Sequence, residues 1–65
     1  SLLGCPSKID GDFDCSYNRL TTLEGCPRIV KGDFDCRYNK KEFTKADVKR
    51  FCKVRDDIRD SADMY

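Results

Sequence analysis

The chain has 65 residues, of which 38% are charged and 11% are aromatic, and its formal net charge is +1. A chain of this length forms one small domain and buries only about 60% of the surface that its unfolded form exposes. It contains no histidine and no tryptophan, which argues against metal-dependent hydrolysis, histidine-based acid–base catalysis and Ser-His-Asp triads. We therefore expect a non-enzymatic binding module without a cofactor. No apolar run is long enough to span a membrane, and no secretory signal pattern opens the sequence.

A segment of 21 residues occurs twice. Residues 4–24 align with residues 25–45 at ten identical positions, which include two Gly-Cys-Pro triplets, two Gly-Asp-Phe-Asp-Cys runs and two Tyr-Asn pairs. A fixed period of this size is typical of a solenoid, in which each coil buries its apolar side against its neighbours. We predict two coils, 4–24 and 25–43, in a repeat region that spans residues 1–43.

Each coil is predicted to contain a short strand. The alternation at Phe13 and Cys15 predicts two inward side chains, with the intervening residues facing outward. Asn18 follows at a turn, and its amide is expected to bond backbone groups of its own and the adjacent coil. Leu20 and Leu23 then return to the core. Ile9 and Val30 are predicted to fill the remaining inward positions. Gly25 and Pro27 are predicted to form a turn.

These residues resemble a known family. The pattern Leu20-Thr-Thr-Leu23-Glu-Gly-Cys-Pro27, followed by Gly32-Asp-Phe-Asp-Cys36 and Asn39, is similar to leucine-rich repeats. It looks particularly like short phage-type arrays that often end in a helix headed by Phe-Thr. The resemblance covers residues 1–53 and implies an α/β repeat solenoid, with two leucine-rich-repeat-like coils of short parallel strands capped by a C-terminal α-helix. Lys41 and Thr44 replace the two leucines of the next unit, so the array is expected to stop there.

A capping helix is predicted within residues 44–59. Thr44 is a good N-cap with Asp47 at the capping-box position, and Phe43 and Val48 have the spacing of a hydrophobic staple. The predicted apolar stripe that covers the last coil consists of Val48, Phe51 and Cys52. Aspartates would sit unfavourably at a helix C-terminus, so we place the helix end near Lys53. Val54 and Ile58 are assigned to a separate packed segment, and residues 60–65 to a frayed tail.

The N-terminal edge of the first coil has no cap. Repeat stacks usually need at least three units, and unpaired strand edges template pairing with other chains. This edge is therefore expected to continue a longer array, or to dock on another protein or on a second copy of the chain.

Four of the five cysteines form two pairs of equivalent repeat positions: Cys5 matches Cys26, and Cys15 matches Cys36. Small core side chains are the favoured interpretation, although the distance between adjacent strands does not forbid a Cys15–Cys36 disulfide. No C-x-x-C pair and no histidine supports zinc, so we predict no metal site. Unpaired cysteines of this kind point to a reducing cytoplasm.

Partner contacts are predicted on the outward side of the strands. Asp12 should lie beside Asp33, and Asp14 beside Asp35, as an acidic ladder that solubilises the chain, meets a basic protein surface or holds calcium. Two tyrosines should stack next to it, and tyrosine and arginine dominate interface hot spots. The predicted partner-binding residues are Asp12, Asp14, Tyr17, Asp33, Asp35, Arg37 and Tyr38.

A basic stretch covers residues 37–55. Its lysines at helical spacing are Lys45, Lys49 and Lys53. They form a solvated face, bind phosphate groups or meet the acidic ladder of another copy.

We predict a cytoplasmic protein-binding module that does not act on membranes. The resemblance implies a small phage-encoded viral protein that binds a host protein and inhibits it by surface occlusion. The alternatives are the C-terminal cap of a longer array or phage structural protein, and nucleic-acid binding through the basic stretch.

Overall fold

The structure is a computed structural model that describes residues 2–64, with only the backbone at Met64. Within these residues the chain forms a small α/β fold with two three-stranded parallel sheets and one α-helix. In chain order the elements are β1 (Lys8–Ile9), β2 (Phe13–Asp14), β3 (Ile29–Val30), β4 (Phe34–Asp35), α1 (Lys45–Phe51), β5 (Lys53–Val54), β6 (Ile58–Arg59) and a 3-10 helix (Ser61–Met64).

The strands lie in three stacked pairs. Sheet A has the order β1-β3-β5 and sheet B the order β2-β4-β6, so each successive pair adds one strand to both sheets. We call these pairs rungs 1, 2 and 3. The predicted strand at Phe13 is confirmed, because Phe13 pairs with Phe34 in parallel register. The repeat predicts only inward positions at Ile9 and Val30, and the structure shows in addition that both residues lie in strands of sheet A.

The third rung corrects the prediction of a separate packed segment after the helix. Val54 and Ile58 are not a separate segment, because Val54 is in register with Val30 and Ile58 is in register with Phe34. Their separation of four residues equals that of Val30 and Phe34. The step from rung 2 to rung 3 is 24 residues, compared with 21 for the step before it. The three extra residues belong to the connection that contains α1. Because of them, the third rung does not follow the 21-residue period of the repeat.

The core runs along the stack and contains residues of both sheets and of the connections between them. In rung 2, Val30 and Phe34 are fully buried, with 0% of either side chain exposed. Their counterparts Ile9 and Phe13 at one end are only partly buried, because a neighbouring rung covers them on one side alone. The predicted return of Leu20 and Leu23 to the core is confirmed.

The start of α1 agrees with the sequence prediction. The Thr44 side chain accepts a hydrogen bond from the Asp47 backbone N–H at 3.2 Å, and the Asp47 carboxylate accepts one from the Thr44 N–H at 3.0 Å. These reciprocal bonds form the predicted capping box. Phe43 and Val48, the residues of the predicted staple, are both buried.

The helix α1 ends two residues before Lys53, close to the predicted position, but its last residue does not have the predicted role. The helix stops at Phe51, and Cys52 is already extended with φ −145°, because Lys53 must enter sheet A opposite Ile29. Phe51 therefore does not complete the apolar stripe, and 43% of its side chain is exposed. Cys52 is buried as expected.

The segment after β6 is packed rather than frayed. Asp60 is 5% exposed, and its carboxylate accepts hydrogen bonds from the Lys45 backbone N–H at 2.9 Å and the Ala62 N–H at 3.1 Å. The Ser61 N–H also donates to the Phe43 carbonyl at 3.0 Å. These bonds fasten the 3-10 helix to the start of α1. The predicted tail extends to Tyr65, which lies outside the described residues.

Candidate binding face

Two exposed tyrosines stack beside sheet B. The Tyr17 and Tyr38 rings are 4.7 Å apart between centroids and nearly parallel at 12°, which confirms the predicted stacking. Of the two side chains, 72% and 39% remain exposed. Offset stacking of this kind is worth about 0.5–1.5 kcal/mol beyond the area that it buries. The pair therefore presents a preformed aromatic surface to solvent.

The backbone beneath the rings is held in an uncommon conformation. Tyr17 and Tyr38 both have φ 58°, in the left-handed region that costs a non-glycine residue about 1–2 kcal/mol. The Tyr17 N–H donates to the Arg37 carbonyl at 3.2 Å, which ties the two turns together. The same strained turn in both rungs directs the two rings to one place.

Asn39 supports these turns from within. Its side-chain oxygen accepts from the backbone N–H groups of Asn18 and Leu20, both at 3.0 Å, and its amide donates to the carbonyls of Cys15 and Cys36 at 3.0 and 3.1 Å. This confirms for Asn39 the bridging role that the sequence analysis assigned to Asn18. Within residues 2–64 the side-chain amide of Asn18 itself has no hydrogen-bond partner.

Two carboxylates of the acidic ladder accept hydrogen bonds from backbone N–H groups of the next rung. The Asp12 side chain accepts from the Asp33 N–H at 2.8 Å, and the Asp33 side chain accepts from the Asp57 N–H at 3.0 Å. Each carboxylate thus satisfies a backbone donor in the next rung, which offsets the repulsion expected between stacked like charges. Asp57 continues the ladder but was missed in the sequence analysis, although it precedes Ile58 as Asp33 precedes Phe34.

The second pair of carboxylates closes local turns. Asp14 Oδ1 accepts hydrogen bonds from the Ser16 backbone N–H at 2.9 Å and from the Ser16 hydroxyl at 2.5 Å. Asp35 accepts from Nε and Nη2 of Arg37 at 3.0 and 2.8 Å, so the Arg37 guanidinium holds the pKa of the Asp35 carboxyl below its usual value. Asp35 and Arg37 therefore neutralise each other instead of offering two free charges. Arg59 stands in register with Asp35 in rung 3.

The tyrosine face, defined as Tyr17 and Tyr38 with the outward carboxylates of sheet B, keeps a negative charge. Within the described residues, Asp12, Asp14 and Asp33 form no ion pair. Arg37 lies within electrostatic range of both tyrosines. All seven residues predicted to bind a partner are thus brought together, with Asp35 and Arg37 already paired.

The predicted phosphate-binding lysines are not equivalent. Lys45 Nζ lies 3.3 Å from Asp60 Oδ1 and 3.7 Å from Asp63 Oδ2, so its charge is matched within the chain. Lys49 and Lys53 remain exposed, the latter on the outer side of sheet A. That side also carries basic residues that the sequence analysis did not single out, because they come from different rungs: Lys8, Lys31 and Arg55.

All five cysteines are free thiols. Burial raises the pKa of Cys15 to about 12 and that of Cys36 to about 12, and it raises the pKa of Cys26 to about 11. The Cys15 thiol also donates to the Asp35 carbonyl at 3.3 Å. Small, neutral core side chains fit these observations. Among residues 2–64 no three potential metal ligands are grouped together.

Comparisons with protein-family models, curated proteins and solved structures found no match to this chain. In the part of the chain that the structure describes, no helix has the length and apolar character needed to cross a membrane.

Proposed function

We propose that the protein is a leucine-rich-repeat-like solenoid that acts as a non-catalytic protein-binding module, with the tyrosine face as its contact surface. The observation that carries this proposal is the stacked pair of exposed tyrosines, Tyr17 and Tyr38. Tyrosine provides a large contact area at a small cost in side-chain entropy and is enriched among interface hot spots.

The periodic stacking supports the solenoid interpretation. Both sheets add their strands in the same order, and the Asp12, Asp33 and Asp57 positions continue through all three rungs. Because each rung repeats the backbone path of its neighbour, outward side chains of successive rungs fall in rows. A row of this kind presents aromatic and charged groups at a fixed spacing.

The charge around the tyrosines favours a basic partner surface. Asp12, Asp14 and Asp33 lack cations within the described residues, and complementary potentials guide association and select partners. The proposed mechanism is occlusion: the tyrosines pack on the partner while the carboxylates face its lysines and arginines. The resemblance to phage-type arrays extends this proposal to a host protein that is inhibited in the cytoplasm.

Selection of short peptides from a random displayed library on the immobilised chain tests the proposal. We expect the selected peptides to be rich in lysine and arginine, and to bind at least about tenfold more weakly when both tyrosines are changed, as Tyr17→Ser with Tyr38→Ser. Phe51→Ser removes another exposed aromatic side chain and serves as the matched control, with unchanged binding. Thermal melting of each variant confirms that it is folded. Equal binding by the double tyrosine variant and the original chain contradicts the proposal.

A further inference from the structure

The stack has two different open edges within the described residues. The head edge is the free side of β1 and β2 in rung 1, and the tail edge is the free side of β5 and β6 in rung 3. Rung 2 is covered on both sides and its core residues are fully buried, whereas Ile9 and Phe13 at the head are only partly buried. At the tail, Val54 is partly buried and Ile58 is buried. Each edge therefore exposes part of the core as well as unpaired strand groups.

The head edge lacks contacts that the same positions make in rung 2. The Asp33 N–H is bonded by the Asp12 carboxylate of the preceding rung, but the Asp12 N–H has no such partner within residues 2–64. A Cβ added to Gly32 would lie 2.8 Å from the Gly11 carbonyl carbon, whereas a Cβ on Gly11 would meet nothing within 4 Å. The head edge thus has the form of a surface on which another rung can sit.

The tail edge offers the missing groups. Asp57 occupies the position of Asp12 and Asp33, and within the described residues its carboxylate accepts no hydrogen bond. An open cleft of about 310 Å³ lies along β3 and β5. Its apolar lining comes from Ile29, Val30 and Val54, and its basic lining from Lys31, Lys53 and Arg55.

In register, two charge pairs across the two edges would be of opposite sign, whereas Lys8 of a following rung would lie next to Lys53, which carries the same charge. Asp10, Lys31 and Arg55 directly follow the successive strands of sheet A, and Lys31 Nζ lies 3.7 Å from Asp10 Oδ1 in an exposed ion pair. Asp14, Asp35 and Arg59 succeed one another along sheet B. If the next rung in the stack were rung 1 of another molecule, its Asp10 would follow Arg55. Opposite charges at adjacent positions of neighbouring strands stabilise the pairing.

We propose that a second copy of this chain docks its head edge on the tail edge of the first, so that both sheets continue from one molecule into the next. The Asp57 carboxylate accepts from the Asp12 N–H of the docked copy, and the two charge pairs are Arg55 with Asp10 and Arg59 with Asp14. Because the two surfaces differ, the contact is heterologous, and each added copy leaves a new tail edge open. The surface does not include the two tyrosines proposed to bind other proteins, but it shares Asp12 and Asp14 with the tyrosine face.

Sedimentation equilibrium of the 65-residue chain tests the proposal. At low ionic strength and concentrations up to about 1 mM, which correspond to weak specific contact, the average mass should rise continuously above 7.5 kDa. Added salt should reduce it, because the pairs are solvent-exposed. A chain that stays monomeric under these conditions overturns the proposal.

Variants test the register of the contact. Asp10→Arg and Arg55→Asp should each weaken association at least about tenfold, whereas the combined variant should recover it. Glu24→Arg makes the same change in charge on an exposed loop residue and should leave association unchanged. Gly11→Val places bulk where Gly11 now faces open space and should block docking while melting of the dilute chain is unaffected. Association of Gly11→Val at the original strength, or failure of the combined variant to recover, contradicts the proposed contact.

Discussion

Asp12 and Asp33, 21 residues apart, are joined by a 2.8 Å hydrogen bond from the Asp33 backbone N–H to the Asp12 side chain. The same bond recurs one rung later, between the Asp33 side chain and the Asp57 N–H at 3.0 Å. Stacked carboxylates on a small protein are therefore compatible with stability, since Asp12 and Asp33 each accept a hydrogen bond from the next rung. The outward row that gives the tyrosine face its negative charge also helps to hold the rungs together.

Removal of one carboxylate should destabilise the fold according to its position in this ladder. Asp33→Ala leaves the Asp57 N–H without its side-chain acceptor, and we expect a loss of about 1 kcal/mol in the free energy of unfolding. Asp57→Ala removes a carboxylate that has no partner among the described residues and should change stability by less than about 0.5 kcal/mol. Urea denaturation of the dilute chain measures both, and equal losses would show that the ladder has no stabilising role.

Asn39 and Asn18 occupy equivalent repeat positions but have different partners. Asn39→Ala leaves two backbone N–H groups and two carbonyls without their side-chain partner, and should lower the free energy of unfolding by about 2–3 kcal/mol. Asn18→Ala should be close to neutral, because its amide has no partner within residues 2–64. Thermal melting of the two variants checks this, and similar losses for both would contradict the assigned role of Asn39.

The glycines of the two turns allow a separate test of close packing between rungs. Gly4 and Gly25 both have positive φ, at 92° and 88°, so alanine is strained at either position. Only at Gly25 would a new Cβ also lie 2.8 Å from the Leu3 backbone nitrogen. Gly25→Ala should therefore be less stable than Gly4→Ala by about 1–3 kcal/mol. Denaturation midpoints of the two variants measure the difference. A less stable Gly4→Ala would contradict the close contact between Gly25 and the Leu3 backbone.

The buried thiols predict a loss of stability at alkaline pH. The pKa of Cys15 and that of Cys36 rise from 9.0 in the exposed thiol to about 12 in the folded chain. Because the folded state disfavours the thiolates, their contribution to stability is complete below pH 9 and is lost as the pH rises towards 12. Alkylation of these two cysteines at pH 8 should be much slower in the native chain than in urea. Equal rates in the two conditions would contradict their burial.

The features that could be predicted from the sequence are those that depend on the repeat period or on the local chemistry of a helix cap. The 21-residue repeat identified Phe13, Phe34, Leu20 and Leu23 as inward positions, and Thr44 with Asp47 marked the start of the helix. Rung 3 was missed because the insertion that forms α1 changes the period to 24 while the spacing within the rung stays the same. Phe51 followed the helical stripe in sequence, but strand pairing at Lys53 ends the helix before that stripe is complete.

The chemistry of the candidate site was predicted only in part. Stacking of Tyr17 on Tyr38 follows from the repeat, because equivalent residues lie in adjacent rungs. The pairing of Arg37 with Asp35, and of Lys45 with Asp60, depends on how the backbone brings these side chains together. Composition and spacing do not contain that information, so three residues predicted to contact a partner, Asp35, Arg37 and Lys45, are engaged within the chain.

Nuclear Overhauser contacts of the Phe34 ring in solution test the stacking of three rungs most directly. The account predicts contacts from Phe34 to the Phe13 ring, whose centroid is 5.2 Å away, and to the methyl groups of Ile58, its partner in sheet B. Contacts to Phe13 with none to Ile58 would contradict the third rung, and the absence of both would contradict the stack itself.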